Sequence, residues 1–254
     1  MTPALDPPFR DLEFMAPMST QRADGLARFL SDAGRGTVVD FGCGWAELLL
    51  RTVEQSDSLV GFGVDCDAEA IEEGRSRAAA RGLAERVTLT VGDDPTSVPT
   101  AAPAGLISIG ASHVWRQDHD DHRLPYRSAL EGMRALVDRG ARVVYGDGIW
   151  SHPPTAEAVE ALGGSDDELV DLETMVEYAE TAGFMAVAVE EASQEEWDRF
   201  ESGYCACYAR WIAEHDVDHV DAPQVRAASR DQRRRYLRGY RGVLGHAYLQ
   251  LVAV

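Results

Sequence analysis

Acidic residues follow three successive apolar segments of the sequence, where each predicted strand ends. Asp40 precedes a Gly-Cys-Gly turn at residues 42–44, and Asp65 ends the next apolar segment 25 residues later. The third segment ends in the pair Asp93 and Asp94. Ligands of open α/β sheets bind beyond the carboxyl ends of the strands, where glycines allow close approach of the backbone. We therefore predict a ligand site at this edge, with a carboxylate placed to accept ribose hydroxyls.

The charge of this segment discriminates between two nucleotide ligands. A dinucleotide-binding turn has the pattern Gly-x-Gly-x-x-Gly, because its pyrophosphate lies on a helix N-terminus. Here Glu47 occupies the position of the third glycine and Asp40 lies beside the turn, and both would repel a pyrophosphate. Carboxylates suit a cationic ligand such as S-adenosylmethionine, which carries an ammonium, a sulfonium and an unphosphorylated adenosine. The residues therefore favour this ligand over NAD.

At this point the sequence resembles the class I S-adenosylmethionine-dependent methyltransferases. The resemblance rests on VVDFGCG at 38–44, on GVD ending at Asp65 and on VGDD ending at Asp94, and it covers roughly residues 19–150. The family pattern has a glycine two residues after Gly44, where this chain has Ala46. We expect a slightly altered turn that still binds the cofactor.

The resemblance implies roles for individual residues toward S-adenosyl-L-methionine as the cofactor. It places Asp40 and Gly42 near the methionine part, Asp65 at the ribose and Asp93 or Asp94 at the adenine. The predicted cofactor-binding residues are Asp40, Gly42, Cys43, Gly44, Asp65, Cys66, Asp93, Asp94 and Gly110.

Residues after the fourth and fifth predicted strands are the candidates for catalysis and substrate binding. His113 is a candidate general base, because an unperturbed imidazole titrates near neutrality, and a hydrogen bond to a neighbouring loop is the open alternative. Asp147 is the second catalytic candidate, for orienting the substrate. Trp115 could stack on a flat or cationic group, and a place in the core explains it equally well. The predicted substrate-binding residues are Trp115, Trp150, His152 and Tyr204.

Three further groups of residues are interpreted as structural, and no metal site is predicted. The segment Asp118–His122 holds two histidines that could chelate a metal ion, but a solvated polar loop is the commoner explanation. Cys205 and Cys207 are expected to be buried thiols. The arginines at 230, 233, 234, 235 and 238 are expected to form a helix face with solvated ion pairs to the acidic surface, and binding of a substrate carboxylate is the open alternative.

The apolar periodicity alternates between strands and helices, which positions the candidate residues at one edge of a sheet. We predict an α/β fold with a Rossmann-like, mostly parallel sheet of about seven strands and helices on both faces. The single methyltransferase domain, 1–254, divides into an arm at 1–18, a cofactor-binding core at 19–150, helical substrate-side additions at 151–245 and a closing strand at 246–254. Phe14, Met15 and Met18 of the arm are candidates for covering the cofactor.

Local signals predict where several helices begin and end. Asp67 is the expected N-cap of one helix, because its side chain can accept hydrogen bonds from the first turn. Ser193 and Glu196 match a capping box at the start of a long helix. Gly140 is expected to end the helix that follows the fourth strand.

Composition limits the partners and the compartment. The 254 residues carry 24 basic residues, all arginine, against 43 acidic ones, a net charge of −19. Nucleic acids and anionic membranes attract clustered positive charge, so both are disfavoured as partners. No apolar run approaches about 18 residues, and the first residues lack the pattern of a signal peptide. With four cysteines and no CxxC pair, a cytoplasmic protein is expected.

The function predicted from the sequence is a methyltransferase acting on an O, N or activated C atom of a small molecule. Two alternatives keep the same cofactor site. One is a different reaction of the cofactor, such as an intramolecular cyclisation, and the other is a non-catalytic cofactor-binding protein. Assembly into a homo-oligomer is left open.

Overall fold

Strands and helices alternate along the chain and build one mixed sheet covered on both faces. The computed structural model describes residues 5–95, 102–116 and 121–254. The strands are β1 (Gly36–Phe41), β2 (Leu59–Asp65), β3 (Val87–Val91), β4 (Gly105–Ile109), β5 (Arg142–Gly146), β6 (Gly148–Trp150), β7 (Phe184–Glu191) and β8 (Leu244–Ala253). The helices are α1 (Thr20–Ser31), α2 (Glu47–Glu54), α3 (Ala68–Ala80), α4 (Tyr126–Leu136), α5 (Ala156–Leu162), α6 (Leu172–Thr181), α7 (Gln194–Glu214) and α8 (Ala222–Arg234). Pro8–Arg10 and Ser112–Trp115 form 3-10 turns, and Arg235–Tyr240 forms a π-helical segment.

The topology of the sheet places a crevice beside β1. The strand order is β3, β2, β1, β4, β5 and β8, and β8 also pairs with β6 and β7. Strands β1 to β5 are parallel, whereas β8 runs antiparallel to its partners. The chain leaves β1 toward β2 on one side and later returns to β4 on the other, so the strand order reverses there. The predicted α/β class with a mostly parallel sheet is confirmed.

The short strand β6 was not predicted from the sequence. β5 and β6 pair with β8 in one continuous register, interrupted at Gly146 and Asp147. The described chain therefore has eight strands where about seven were expected. β8 begins at Leu244 rather than at residue 246, because Leu244 pairs with Trp150 of β6.

Each face of the sheet has its own apolar core. Leu26 and Leu30 of α1 and Leu49 of α2 are fully buried on one face, together with side chains of the arm. Leu130 of α4 and Met175 of α6 are fully buried on the other. None of the helices in the described ranges is long and apolar enough to cross a membrane.

Two of the three predicted helix signals are confirmed. The side chain of Asp67 accepts hydrogen bonds from the first turn of α3, and Ser193 and Glu196 form the reciprocal capping box of α7. The third prediction is wrong, because α4 ends at Leu136, well before Gly140. The next residue, Val137, takes an extended conformation and interrupts the helix.

Candidate active site

A cavity of about 540 Å3 lies at the carboxyl ends of β1 to β4. Its lining includes Phe14, Met15, Ala16 and Met18 of the arm, Asp40, Asp65 and Asp93 at or after strand ends, and Ala111, His113, Val114 and Arg116 after β4. The volume is in the range of small-molecule and cofactor sites. The cavity therefore collects most of the candidate residues into one space.

The turn between β1 and α2 uses three left-handed residues, Gly42 (φ +66°), Gly44 (φ +53°) and Ala46 (φ +58°). A Cβ atom at Gly42 would collide with the side chain of Ala111, so glycine is required there. Ala46 adopts the conformation of the family's glycine despite its Cβ atom, which costs roughly 1 kcal/mol. The main chain therefore keeps its path, and α2 begins at the next residue.

Asp40 presents a buried carboxylate to the cavity. The side chain is buried, lines the cavity and, within the described ranges, forms no hydrogen bond or ion pair. Burial raises the pKa of Asp40 well above its ordinary value, and the nearby charge of Asp65 adds to this rise. A buried charge without a partner is unfavourable. A cation in the cavity would supply the missing counter-charge.

Asp65 is held in place by the main chain. Its Oδ2 atom accepts a hydrogen bond from the N–H of Gly44 at 2.7 Å, and its Oδ1 atom accepts one from the N–H of Asp67 at 2.8 Å. Each carboxylate oxygen has a second lone pair for a ligand hydroxyl. The adjacent Cys66 also lines the cavity and is exposed.

The third acidic residue, Asp93, follows β3 and lines the same cavity. The N–H of Gly92 donates to the carbonyl of Asp65 at 2.9 Å, which keeps the ends of β2 and β3 together. Asp94 is not among the described lining residues. The structure thus brings one acid from each of three successive strand ends into one space, and their roles toward a cofactor stay predictions.

The expected repulsion between Glu47 and a phosphate needs correction. The carboxylate of Glu47 is buried and pairs with Arg51 at 2.8 Å, Arg77 at 3.2 Å and Arg81 at 2.6 Å. The charge of Glu47 is therefore compensated by guanidinium groups, which also pair with more exposed acids around them. The electrostatic argument against a pyrophosphate therefore rests on Asp40.

The segment after β4 forms another wall of the cavity, on the side of β1 away from β2 and β3. Gly110 (φ +67°) donates its N–H to the carbonyl of Gly146 at 2.8 Å and turns the chain into the 3-10 turn at 112–115. His113 lines the cavity, and its imidazole forms no hydrogen bond within the described ranges. Arg116 contributes the only guanidinium among the described lining residues. Sequence analysis missed Arg116, although a basic residue shortly after a strand-end histidine was a usable signal.

Asp147 lies behind this wall rather than in it. Its Oδ2 atom accepts a hydrogen bond from the N–H of Ser112 at 3.0 Å, and its Oδ1 atom accepts one from the N–H of Gly148 at 2.8 Å. The Ser112 hydroxyl also bonds the hydroxyl of Tyr145 at 2.6 Å. The buried carboxylate of Asp147 therefore fixes the turn that carries His113, while a direct contact with substrate stays a prediction.

The four predicted substrate-binding residues do not line this cavity in the described part of the chain. Trp115 is buried edge-on against Phe41 at 5.0 Å, in the core. Trp150 is also buried, and its indole N–H donates to a main-chain carbonyl at 3.0 Å. His152 and Tyr204 are exposed, after β6 and on α7. Their contacts with a substrate stay predictions.

Several hydrogen bonds hold the arm to the body of the fold, and two of them join its main-chain carbonyls to buried aromatic side chains. The indole N–H of Trp45 donates to the carbonyl of Glu13 at 2.7 Å. The buried hydroxyl of Tyr248 donates to the carbonyl of Pro17 at 3.1 Å. Trp45 itself lines the cavity, and sequence analysis missed it.

The remaining candidates lie elsewhere. Residues 118–120 of the proposed chelating segment lie outside the described residues, and His122 Nε2 is 2.7 Å from Asp167 Oδ1 at the surface. Cys205 is buried and Cys207 is partly buried, both as free thiols.

Comparison with known proteins agrees with the observed topology. No protein-family model matches the chain. The uncharacterized protein YjhP of Escherichia coli (strain K12) is 25% identical over 239 residues, which cover 93% of this chain and 92% of that protein. Its description names no activity.

Two crystal structures share the fold over nearly their whole length. One is a SAM-dependent methyltransferase from Geobacter sulfurreducens in complex with S-adenosyl-L-homocysteine (TM-score 0.83, 21% identity, 97% of this chain and 96% of that one). The other is a SAM-dependent methyltransferase from Thiobacillus denitrificans in complex with the same compound (TM-score 0.82, 23% identity, 97% and 96%). The chain therefore has the Rossmann-like fold of these methyltransferases, as the resemblance at Asp40, Asp65 and Asp93 predicted.

Proposed function

We propose that this protein is an S-adenosylmethionine-dependent methyltransferase that acts on a small molecule. The observation that carries the proposal is the convergence of Asp40, Asp65 and Asp93 on one cavity, with the Asp40 carboxylate buried and unpaired among the described residues. Two proteins of the same fold have been crystallised with S-adenosyl-L-homocysteine, the demethylated form of this cofactor. Fold and charge thus point to the same ligand.

The charges of the lining fit this cofactor. Asp40 is placed to neutralise its ammonium group, because a buried carboxylate gains most from a cation that excludes water. The fixed carboxylate of Asp65 can accept both ribose hydroxyls, and Asp93 can accept from the adenine amino group. A pyrophosphate in the same place would face Asp40, and the one guanidinium among the described lining residues belongs to Arg116, after β4.

The bound cofactor would supply a methyl group on a sulfonium, already activated for in-line displacement. The chain then has to align the acceptor, exclude water and receive a proton where the acceptor loses one. His113 lines the cavity and is the candidate to accept that proton, and Asp147 keeps the turn of His113 in position through Ser112.

A small acceptor is favoured by the arm. Phe14, Met15 and Met18 line the cavity, so an acceptor has to fit beneath apolar side chains that also keep water out. A long polymer would require the arm to leave. The net charge of −19 opposes a polyanionic acceptor as well.

The proposal is tested first by binding. We expect isothermal titration calorimetry to detect binding of S-adenosyl-L-homocysteine and of S-adenosylmethionine to the protein. No heat of binding is expected with NAD. Asp40→Asn should lower the affinity for S-adenosylmethionine by about tenfold or more, since it removes one charged interaction. Absence of binding by both sulfur compounds would refute the proposal.

Turnover is tested next. Purified protein, methyl-labelled cofactor and a panel of hydroxyl-, amine- and activated-carbon compounds should give S-adenosylhomocysteine only when an acceptor is present. Mass spectrometry of reactions without acceptor provides the control. A new product from the cofactor alone would indicate a different reaction of the same site.

A further inference from the structure

One short helical stretch carries a charge opposite to that of the rest of the chain. The 16 residues 226–241 contain seven of the 24 arginines and one acidic residue, Asp231. The remaining 238 residues carry 17 arginines against 42 acids. A cluster of this sign on so acidic a protein creates a local positive field that solubility does not require.

Most of these arginines have no ionic partner. Arg235 pairs with Asp231 and Arg241 pairs with Asp198. The other five form no ion pair in the described ranges, and four of them are exposed; the five are Arg226, Arg230, Arg233, Arg234 and Arg238. Their spacing of three and four residues places them along one side of α8 and its π-helical continuation, which we name the basic face.

An apolar side chain lies within the basic face. Leu237 is 61% exposed, although residues on either side of it in the sequence are charged or buried. Its neighbours Arg233, Arg234 and Arg238 surround it at helical spacing. A hydrophobic centre rimmed by charge is the arrangement found in protein interfaces.

The basic face is held rigidly from behind. The Tyr236 hydroxyl donates to Asp198 at 2.5 Å and the Tyr240 hydroxyl donates to Glu201 at 2.7 Å. Gly239 packs so closely on Ala161 of α5 that a Cβ atom there would collide. The π-helical segment is therefore anchored, and π-helical turns occur often at functional sites.

We infer that the basic face docks an acidic helix of a partner protein, with Leu237 covered by an apolar side chain of that helix. The face from Arg226 to Arg238 spans about 18 Å at 1.5 Å per residue, which matches three turns of a partner helix. A nucleic acid fits less well, because its backbone would continue past the arginines onto a surface rich in carboxylates. Phosphates would also leave Leu237 uncovered.

The test uses a synthetic probe, since the partner is unidentified. A labelled amphipathic peptide of about 18 residues, made of glutamate with leucine on one stripe, is titrated with the full chain by fluorescence anisotropy. We expect binding at about 20 mM salt that weakens about tenfold or more at about 200 mM. A polyglutamate of equal length and a DNA duplex of similar length serve as comparison probes.

Matched variants separate the basic face from net charge. The triple variant Arg230→Glu, Arg234→Glu and Arg238→Glu should lower the affinity for the peptide by about tenfold or more. The control carries the same change at the exposed Arg35, Arg139 and Arg199 and should keep the affinity within about twofold of wild type. Both triple variants change the net charge equally. A thermal melt of each variant, and an Arg-to-Gln version of the first, keep the comparison valid if one folds poorly.

Leu237→Ser should lower the affinity for the leucine-containing peptide and leave the affinity for polyglutamate unchanged. The inference is overturned if the wild-type chain does not bind the peptide at low salt, or if both triple variants weaken binding equally. Tighter binding of the duplex would assign the basic face to nucleic acid. Self-association at low salt that is lost in the Arg230, Arg234 and Arg238 variant would assign it to a second copy, which also overturns the inference.

Discussion

The N–H of Gly44 donates to the carboxylate of Asp65 at 2.7 Å, and this bond ties the turn after β1 to the end of β2. The other oxygen of Asp65 is held by the N–H of Asp67. Both oxygens therefore keep a fixed orientation before any ligand arrives. Preorganisation of this kind lowers the entropic cost of binding.

Removing the charge of Asp65 tests its predicted role at the ribose. We expect Asp65→Asn to lower the affinity for S-adenosylhomocysteine by about one to two orders of magnitude, since a hydrogen bond to a charged group contributes about 1.5–3 kcal/mol. Calorimetry measures the change. Glu69→Gln, at an exposed residue of the same α3 N-terminus, is the control and should bind normally. Equal affinity of wild type and Asp65→Asn would place the ribose elsewhere.

Ala46 offers a stability test of the turn. Its φ of +58° is unfavourable for a residue with a Cβ atom. We expect Ala46→Gly to raise the free energy of unfolding by roughly 1 kcal/mol, reduced by the lost packing of the buried methyl group. Urea denaturation provides the measurement.

The control for this change is Ala78→Gly, in the last turn of α3, where the backbone is helical and the methyl group is also buried. It should lower stability by about 1 kcal/mol. If both substitutions lower stability by the same amount, the left-handed strain at Ala46 is not significant.

The sequence was informative about the acids for a physical reason. Parallel strands end at one edge of a sheet, so Asp40, Asp65 and Asp93 could be placed together from strand periodicity alone. Strand periodicity cannot, however, predict ion pairs between residues that are far apart in the sequence. Arg77 of α3 and Arg81, the residue that follows this helix, pair with Glu47, and nothing in local spacing indicates that contact.

The direction in which a side chain points is the second property that the sequence did not predict. Trp115 follows a strand end as a ligand residue would, yet its ring turns into the core against Phe41. β6 was missed because Asp147 and its flanking glycines are typical of a turn. Here they form a brief interruption of one continuous ladder with β8.

The contribution of the Glu47 ion pairs to stability can be measured. We expect Glu47→Gln to destabilise the fold by about 2 kcal/mol or more, because it removes the buried carboxylate that three guanidinium groups share and leaves them only more exposed acidic partners. Thermal and urea unfolding report the loss. Glu73→Gln, which removes a more exposed partner of Arg77, should cost less than about 1 kcal/mol. Similar losses for the two variants would argue against a special role of the buried carboxylate.

The arm can be loosened without touching the cavity. Tyr248→Phe removes the buried hydrogen bond to the carbonyl of Pro17, which contributes about 1 kcal/mol. We expect faster proteolysis within the arm and a severalfold faster dissociation of S-adenosylhomocysteine in stopped-flow measurements. Tyr204→Phe, at an exposed tyrosine of α7, is the matched control. Unchanged rates in Tyr248→Phe would show that this bond does not hold the arm.

His246 makes stability depend on pH. It lies on β8 within the core, its Nε2 atom has no hydrogen-bond partner among the described residues, and Asp147 and Arg22 are the charged groups that act on it. Burial lowers the pKa of His246 to about 4 from the ordinary 6.5, although Asp147 opposes the change. The unfolded chain therefore takes up a proton at a higher pH than the folded one.

Stability should accordingly fall as pH drops from about 6.5 toward 4, by about 1.4 kcal/mol per pH unit from this group, and no further loss from it is expected below pH 4. His246→Gln removes the titration and should flatten the profile in that window relative to wild type. Urea denaturation at pH 7.5, 6, 5 and 4.5 gives the two curves. Curves that stay parallel over the window would mean that His246 is protonated as readily in the folded chain as in the unfolded one, so that its burial on β8 does not isolate it from water.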